Sequence, residues 1–139
     1  VENTLRLLEF RAKQLFAQYD IPIPQGQVVT ALDQVPGVMQ ELGGAVMLKA
    51  QVPAGGRGKA GAVQRAVDPE KAREKAATIL GGTVQGHPVA MLLVEEALDV
   101  AEELYLAITL DRTRRRMVLM ASSQGGVDVE ARAAKSARV

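Results

Sequence analysis

Apolar residues recur at Leu8, Ala12, Leu15, Phe16 and Tyr19, the spacing of one helical face. The pattern predicts an amphipathic helix over 4–19, capped by Asn3 or Thr4, with that stripe against the core. Ile21-Pro22-Ile23-Pro24 ends it, because proline cannot continue a helix and restricts the residue before it. A short strand is expected over 27–30 and a helix over 33–42, stopped by Gly43-Gly44. From Ala45 to Val52 the period changes to two. Val46, Leu48, Ala50 and Val52 share one face, and Met47, Lys49 and Gln51 share the other. A glycine-rich segment, 54–61, separates this strand from a return strand over 63–67. Asp68-Pro69-Glu70 carries a cap, a first-turn proline and an acid at the positive helix end, so a helix is expected from there to about Leu80. Val89 to Glu96 reads as a buried strand. Glu103 to Asp111 alternates, with Leu104, Leu106, Ile108 and Leu110 on one face, and a turn at 112–116 returns it as a hairpin through 117–122. Gly125-Gly126 turns the chain again. The order of elements indicates an α+β or mixed α/β class and not a regular βαβ array.

Composition narrows the chemistry. The chain has 139 residues, enough for one domain or two small lobes. It lacks cysteine, which excludes disulfides and thiolate metal sites, and its one histidine leaves little for a multi-histidine metal site or a Ser-His-Asp set. The net charge is +1 and aromatics are 3%, so neither a polyanion-binding surface nor a base-stacking platform is the default. Nucleic acid is therefore not an expected partner. The arginines at 112 and 114–116 read first as a solvated turn that also protects a strand edge. No apolar run approaches the ~20 residues of a membrane span, and no signal-like region opens the chain. A cytoplasmic protein is expected. The start at Val1 and a helical tail without a cap suggest a fragment or a processed chain.

The glycine-rich segment carries the candidate chemistry. Gly56, Gly58 and Gly61 satisfy G-x-G-x-x-G, but a strand follows where a dinucleotide fingerprint needs a helix. A phosphate loop of the Walker kind fails too, since Ala60 follows Lys59 where Ser or Thr is required. What remains is strand, glycine flap, strand. Such a flap lets backbone amides and the cations Arg57 and Lys59 face phosphate oxygens, or it is a mobile hairpin with solvated cations. Lys49, mid-strand beside the flap, is placed to reach phosphates, although an exposed-face lysine is the plainer reading. Glu95 and Glu96 close a buried strand and could receive base or ribose donors, as could Glu103 beyond them. His87, in a loop, reads as a surface residue.

Several blocks taken together resemble the beta subunit of succinate–CoA ligase, an ATP-grasp enzyme. They are EFRAKQLFAQYDIPIP (9–24), LKAQV (48–52), AGGRGKAG (54–61), LVEEALDVAEELYL (93–106) and MASSQGGV (120–127), with Asp111-Arg112 and Arg115-Arg116 between the last two. The resemblance spans nearly the whole chain. It departs at Pro53 and at Gly61-Ala62, where the family often has Gly-Gly. It implies an α+β ATP-grasp fold of which 1–139 is the N-terminal part. Residues of about 25–95 would form the small nucleotide-flap lobe, and 1–24 and 96–139 would belong to a second, incomplete lobe. Lys49 would contact nucleotide phosphates, with Gly56, Arg57 and Gly58 in the flap above them. Glu95 and Leu98 would lie along the hinge beside base and ribose, and Glu103 would be the acidic residue on the strand beyond. ATP or GTP would be the nucleotide, with Mg2+ held by ligands outside these residues. An alpha subunit would carry the phosphohistidine, and the fragment alone would lack ligase activity. Malate- or citrate-activating ligases share the loop. A non-catalytic module that docks on a subunit or pairs with a second copy is the alternative from another class.

Overall fold

The structure, a computed structural model, describes residues 6–123. The chain divides into two compact units at Leu98–Asp99. The first unit holds α1 (Glu9–Gln18), β1 (Gly26–Val29), α2 (Gln34–Leu42), β2 (Val46–Ala50), β3 (Val63–Ala66), α3 (Pro69–Ile79), β4 (Thr83–Val84), β5 (His87–Pro88) and β6 (Leu92–Glu96). Four of these strands form a sheet in the order β1-β6-β2-β3, and each of its pairs is antiparallel. Alternation sorts each strand into two faces. Val29, Val46, Leu48, Ala50, Ala66, Leu92 and Val94 are buried and pack with Val35, Val38 and Met39 of α2 and Ala72, Ala76 and Ile79 of α3. The other sheet face carries Met47, Lys49, Leu93 and Glu95, and it is the face that matters below.

The helix signals hold. Asp68 caps α3, its Oδ1 accepting from the Lys71 backbone N–H at 2.8 Å, with Pro69 as the first helical residue. Gly43 ends α2, and its N–H donates to the carbonyls of Met39 and Gln40. The first helix departs from expectation. It begins at Glu9 after Leu8, which makes no side-chain cap, while Asn3 and Thr4 lie outside the described residues. Its apolar stripe is not the packed face: Leu15, Phe16 and Tyr19 are exposed, and no residue of α1 is fully buried. Its polar side, Glu9 and Lys13, faces the sheet instead. Charge pairing there outranks the hydrophobic period.

A small hairpin, β4–β5, escaped the sequence pattern because each strand has two residues; its turn, Gln85-Gly86, has both φ values positive. His87 lies in β5 and is exposed, not in a loop. The expected strand over 89–96 begins later, at Leu92, and the return strand stops at Ala66, leaving Val67 exposed.

The second unit contains the expected hairpin, β7 (Tyr105–Asp111) and β8 (Arg116–Ser122). Ile108 sits opposite Leu119, and Leu110 opposite Met117. Asp111 Oδ1 accepts from the Arg114 N–H at 2.9 Å, which closes the turn, and Arg115 takes a left-handed φ of 50°. Glu103 lies before β7 and is exposed, so it is not on the strand as expected. The alternating apolar face is real but open: Leu106, Ile108, Leu110, Met117 and Leu119 are all exposed. Gly125-Gly126 and the tail lie outside the described residues. Among the described residues no helix is long and apolar enough to cross a membrane.

Candidate nucleotide site

Lys49 stands opposite Leu93, and Glu95 opposite Met47, so the two are diagonal neighbours on one sheet face. Their side chains meet in an ion pair between Lys49 Nζ and Glu95 Oε1. Glu95 is 2% exposed, and its second oxygen pairs with Lys13 Nζ from α1. Opposite Glu95 on β1 stands Gly26, where a Cβ would lie 2.6 Å from the Glu95 Cβ and 2.8 Å from the Val94 carbonyl. Only glycine lets β1 lie that close to the carboxylate.

Glu9 completes the cluster from α1. Its Oε1 lies 3.1 Å from Lys49 Nζ and 3.2 Å from Lys13 Nζ, and its Oε2 accepts from Arg57 Nη2 at 2.7 Å. Arg57 also donates from Nη1 to the Ala50 carbonyl at 2.8 Å. It is therefore folded back from the flap onto the end of β2 and is not a solvated tip residue. Two carboxylates face three cations, leaving one net positive charge on the cluster. Gln51, buried, ties the same elements: Nε2 donates to the Lys49 carbonyl at 3.0 Å, and Oε1 accepts from the Phe10 N–H at 3.1 Å.

The flap winds into tight turns. The Ala60 N–H reaches the Gly56 carbonyl at 3.1 Å, and the Ala62 N–H reaches Arg57 at 2.9 Å. Gly56 and Gly61 hold φ of +65° and +70°, a conformation that side chains rarely adopt. Gln85 from the β4–β5 turn donates to the Gly55 carbonyl at 2.9 Å, anchoring the flap's other flank. An opening of about 370 Å³ lies between the start of α1 and the flap, lined by Glu9, Pro53, Gly55 and Arg57 among others. On the other side of the cluster, Lys13 and Glu95 line a groove of about 270 Å³ with Phe10, Ile23 and Leu93.

The charges set each other's protonation. Burial alone would raise the Glu9 carboxyl, but the positive charges of Lys49 and Arg57 and their hydrogen bonds outweigh it and hold its pKa at about 2. Burial alone would lower Lys49; the hydrogen bond it donates to Glu95 and the charge of Glu9 outweigh that and raise it. Because the Glu9 pKa is lower in the folded chain, its contribution to stability is complete above about 4.5, its ordinary value, and is lost as pH falls toward 2. That shift corresponds to roughly 3 kcal/mol. Urea titrations at pH 6 and pH 2.5 are expected to show wild type losing more stability than Glu9→Gln. Equal losses would remove this role.

Of the seven sequence candidates, Lys49, Arg57 and Glu95 come together directly. Gly56 and Gly58 flank Arg57 in the flap. Leu98 is exposed at the end of the first unit, outside the ion cluster, and Glu103 lies in the second unit. Glu9, Lys13 and Gln51 were not singled out by the sequence reading. The available signal was Glu9 and Lys13 at i and i+4, away from the apolar stripe. Among the described residues no group of three or more His, Cys, Asp or Glu side chains is placed to hold a metal ion.

The geometry is that of a glycine flap over a strand lysine. Residues 6–138 match the family model described as ATP-grasp domain. The chain belongs to the ATP-grasp family. Curated relatives are named succinate–CoA ligase beta subunits. The GDP-forming one of Thermus thermophilus is 45% identical over 131 residues, covering 94% of this chain and 35% of the relative. The ADP-forming one of Ignicoccus hospitalis is 45% identical over 126 residues, covering 91% and 34%. The chain thus spans about a third of the length of these relatives. Solved structures share the fold. A dinucleotide-forming acetyl-coenzyme A synthetase 1 of Ca. Korarchaeum cryptofilum superposes with a TM-score of 0.78 at 23% identity, covering 94% of this chain and 59% of that one. PH1788 from Pyrococcus horikoshii Ot3 gives 0.75 at 24% identity, covering 90% and 55%.

Proposed function

We propose that this ATP-grasp chain is the nucleotide-holding part of an acyl-CoA ligase beta subunit of the succinate–CoA ligase type. The observation that carries the reading is the convergence of Lys49 and Arg57 beside the glycine flap, both held by carboxylates rather than by a packed core. Two oriented cations, in a cluster that keeps one net positive charge, suit phosphate oxygens. Lys49 Nζ takes one phosphate oxygen, and the Arg57 guanidinium takes a pair. The flap around Gly56 and Gly58 lets backbone approach the phosphates closely. Glu95 holds Lys49 in place from below, and base and ribose lie along the segment from Glu95 to Leu98. The relatives named ADP-forming and GDP-forming support ATP or GTP as the nucleotide.

In the whole protein, 25–95 would be the small flap lobe, with 1–24 and 96–139 contributing to the second. The bound nucleotide with Mg2+ would supply a phosphoryl group to a histidine of an alpha subunit, on the way to succinyl-CoA. The reading is tested on the ¹⁵N-labelled chain with Mg·ATP at millimolar concentration, a range that detects binding of about −4 kcal/mol. Amide shifts are expected at Lys49, at 55–61 and at 95–98, with Mg·GTP as competitor. A well-dispersed spectrum that does not move under either nucleotide would overturn the reading.

A further inference from the structure

The cations that would receive phosphate already face carboxylates, and one of those carboxylates comes from α1. Glu9 spreads one carboxylate over Lys49, Lys13 and Arg57, much as one phosphoryl group would. Glu95 and Glu9 share this work unequally. Glu95 is fixed, with its side chain 3% exposed and β1 pressed against it through Gly26. Glu9 is 20% exposed and borders the opening between α1 and the flap.

We propose that Glu9 is a built-in counter-anion seated in the phosphate subsite, displaced from Arg57 and Lys49 when nucleotide phosphates bind. The inference rests on the nucleotide reading above and deepens it: Glu9 sets the affinity of that subsite. Two features make the exchange easy. Glu9 is the first residue of α1, where the positive end of the helix dipole favours a carboxylate after it leaves the cations. Lys13, one turn on, remains its partner throughout. The exchange also concerns the flap. In the absence of phosphate, the Glu9–Arg57 pair draws the flap's arginine to α1; with phosphate bound, the same guanidinium turns to the ligand. Phosphate binding and release of α1 from the flap are then one event.

The sign of the effect separates this from a merely structural role. A residue that only shaped the site would weaken binding when altered. Removing a competing anion would strengthen it. Inorganic tripolyphosphate is the probe, because it has no base to bind elsewhere. By calorimetry, Glu9→Gln is expected to bind it about tenfold more tightly than wild type, the scale of one charge-assisted hydrogen bond. Binding by Glu9→Gln that is equal to or weaker than wild type would overturn the inference and leave the nucleotide reading standing. Failure of both proteins to bind tripolyphosphate or Mg·ATP would overturn both. A second measurement needs no variant. In wild type, the Glu9 side-chain ¹³C carboxyl resonance is expected to shift as tripolyphosphate saturates Arg57 and Lys49. A Glu9 carboxyl signal that stays fixed while the two cations respond would also overturn it.

Discussion

Replacing Glu95 with alanine is expected to be the most damaging single change in the first unit. It removes the buried carboxylate that lies between Lys13 and Lys49 and leaves Glu9 as the one carboxylate facing three cations. Removing one partner of a buried pair typically costs about 3–5 kcal/mol, a large part of a small domain's stability. The neighbouring acid is the control. Glu96 accepts from the Gln25 backbone N–H at 2.9 Å in an exposed setting, so Glu96→Ala should cost about 1 kcal/mol. Urea unfolding of the two variants checks the contrast. If Glu95→Ala were no worse than Glu96→Ala, the ion cluster would not be a structural centre of this unit.

The second large effect is on binding. Lys49→Met keeps the length of the stem and removes the charge. Glu95 retains Lys13, so the fold should survive with a smaller loss than in Glu95→Ala. Affinity for Mg·ATP should fall by roughly tenfold to a hundredfold, the weight of one hydrogen bond to a charged group. Amide shifts at Glu95 should fade with it, because the lysine couples the two sites. Unchanged affinity in a folded Lys49→Met would place the phosphates elsewhere.

Most of the first unit was legible where a residue's local chemistry and its tertiary role agree. Asp68-Pro69 begins a helix because the cap and the first-turn proline act within four residues. The alternation from Val46 to Ala50 was readable because one face is wholly buried. Lys49 could be placed opposite that face for the same reason, and the glycine flap followed from the strand on either side. The first helix is not legible in this way, because its apolar stripe does not mark the packed side. What faces the sheet is Glu9 and Lys13, and their partners lie 40 and 82 positions away in the chain. Nothing local announces an ion pair across that separation. Arg57 was read as a cation at a loop tip for a similar reason: its acceptors, the Ala50 carbonyl and Glu9, become neighbours only when the flap and α1 come together. The two-residue strands at 83–84 and 87–88 lie below the length at which a period can be seen.

The sheet order has a consequence for how the site comes into being. β1 and β2 do not touch each other; β6, the last strand of that sheet in the chain, fills the space between them. Gly26 waits for Glu95 across 69 positions, and Met47 waits for the same residue across 48. A ribosome that has made everything as far as α3 has therefore made a sheet with its middle missing. Such distant pairings close late, since the loop entropy is spent before the contacts repay it. The residue delivered by that final strand is the buried carboxylate on which Lys13 and Lys49 converge, so until the sheet is whole the two lysines have only the partly exposed Glu9 to share. Folding of this unit and assembly of its charged centre finish in the same step, and a chain stopped short of β6 has neither.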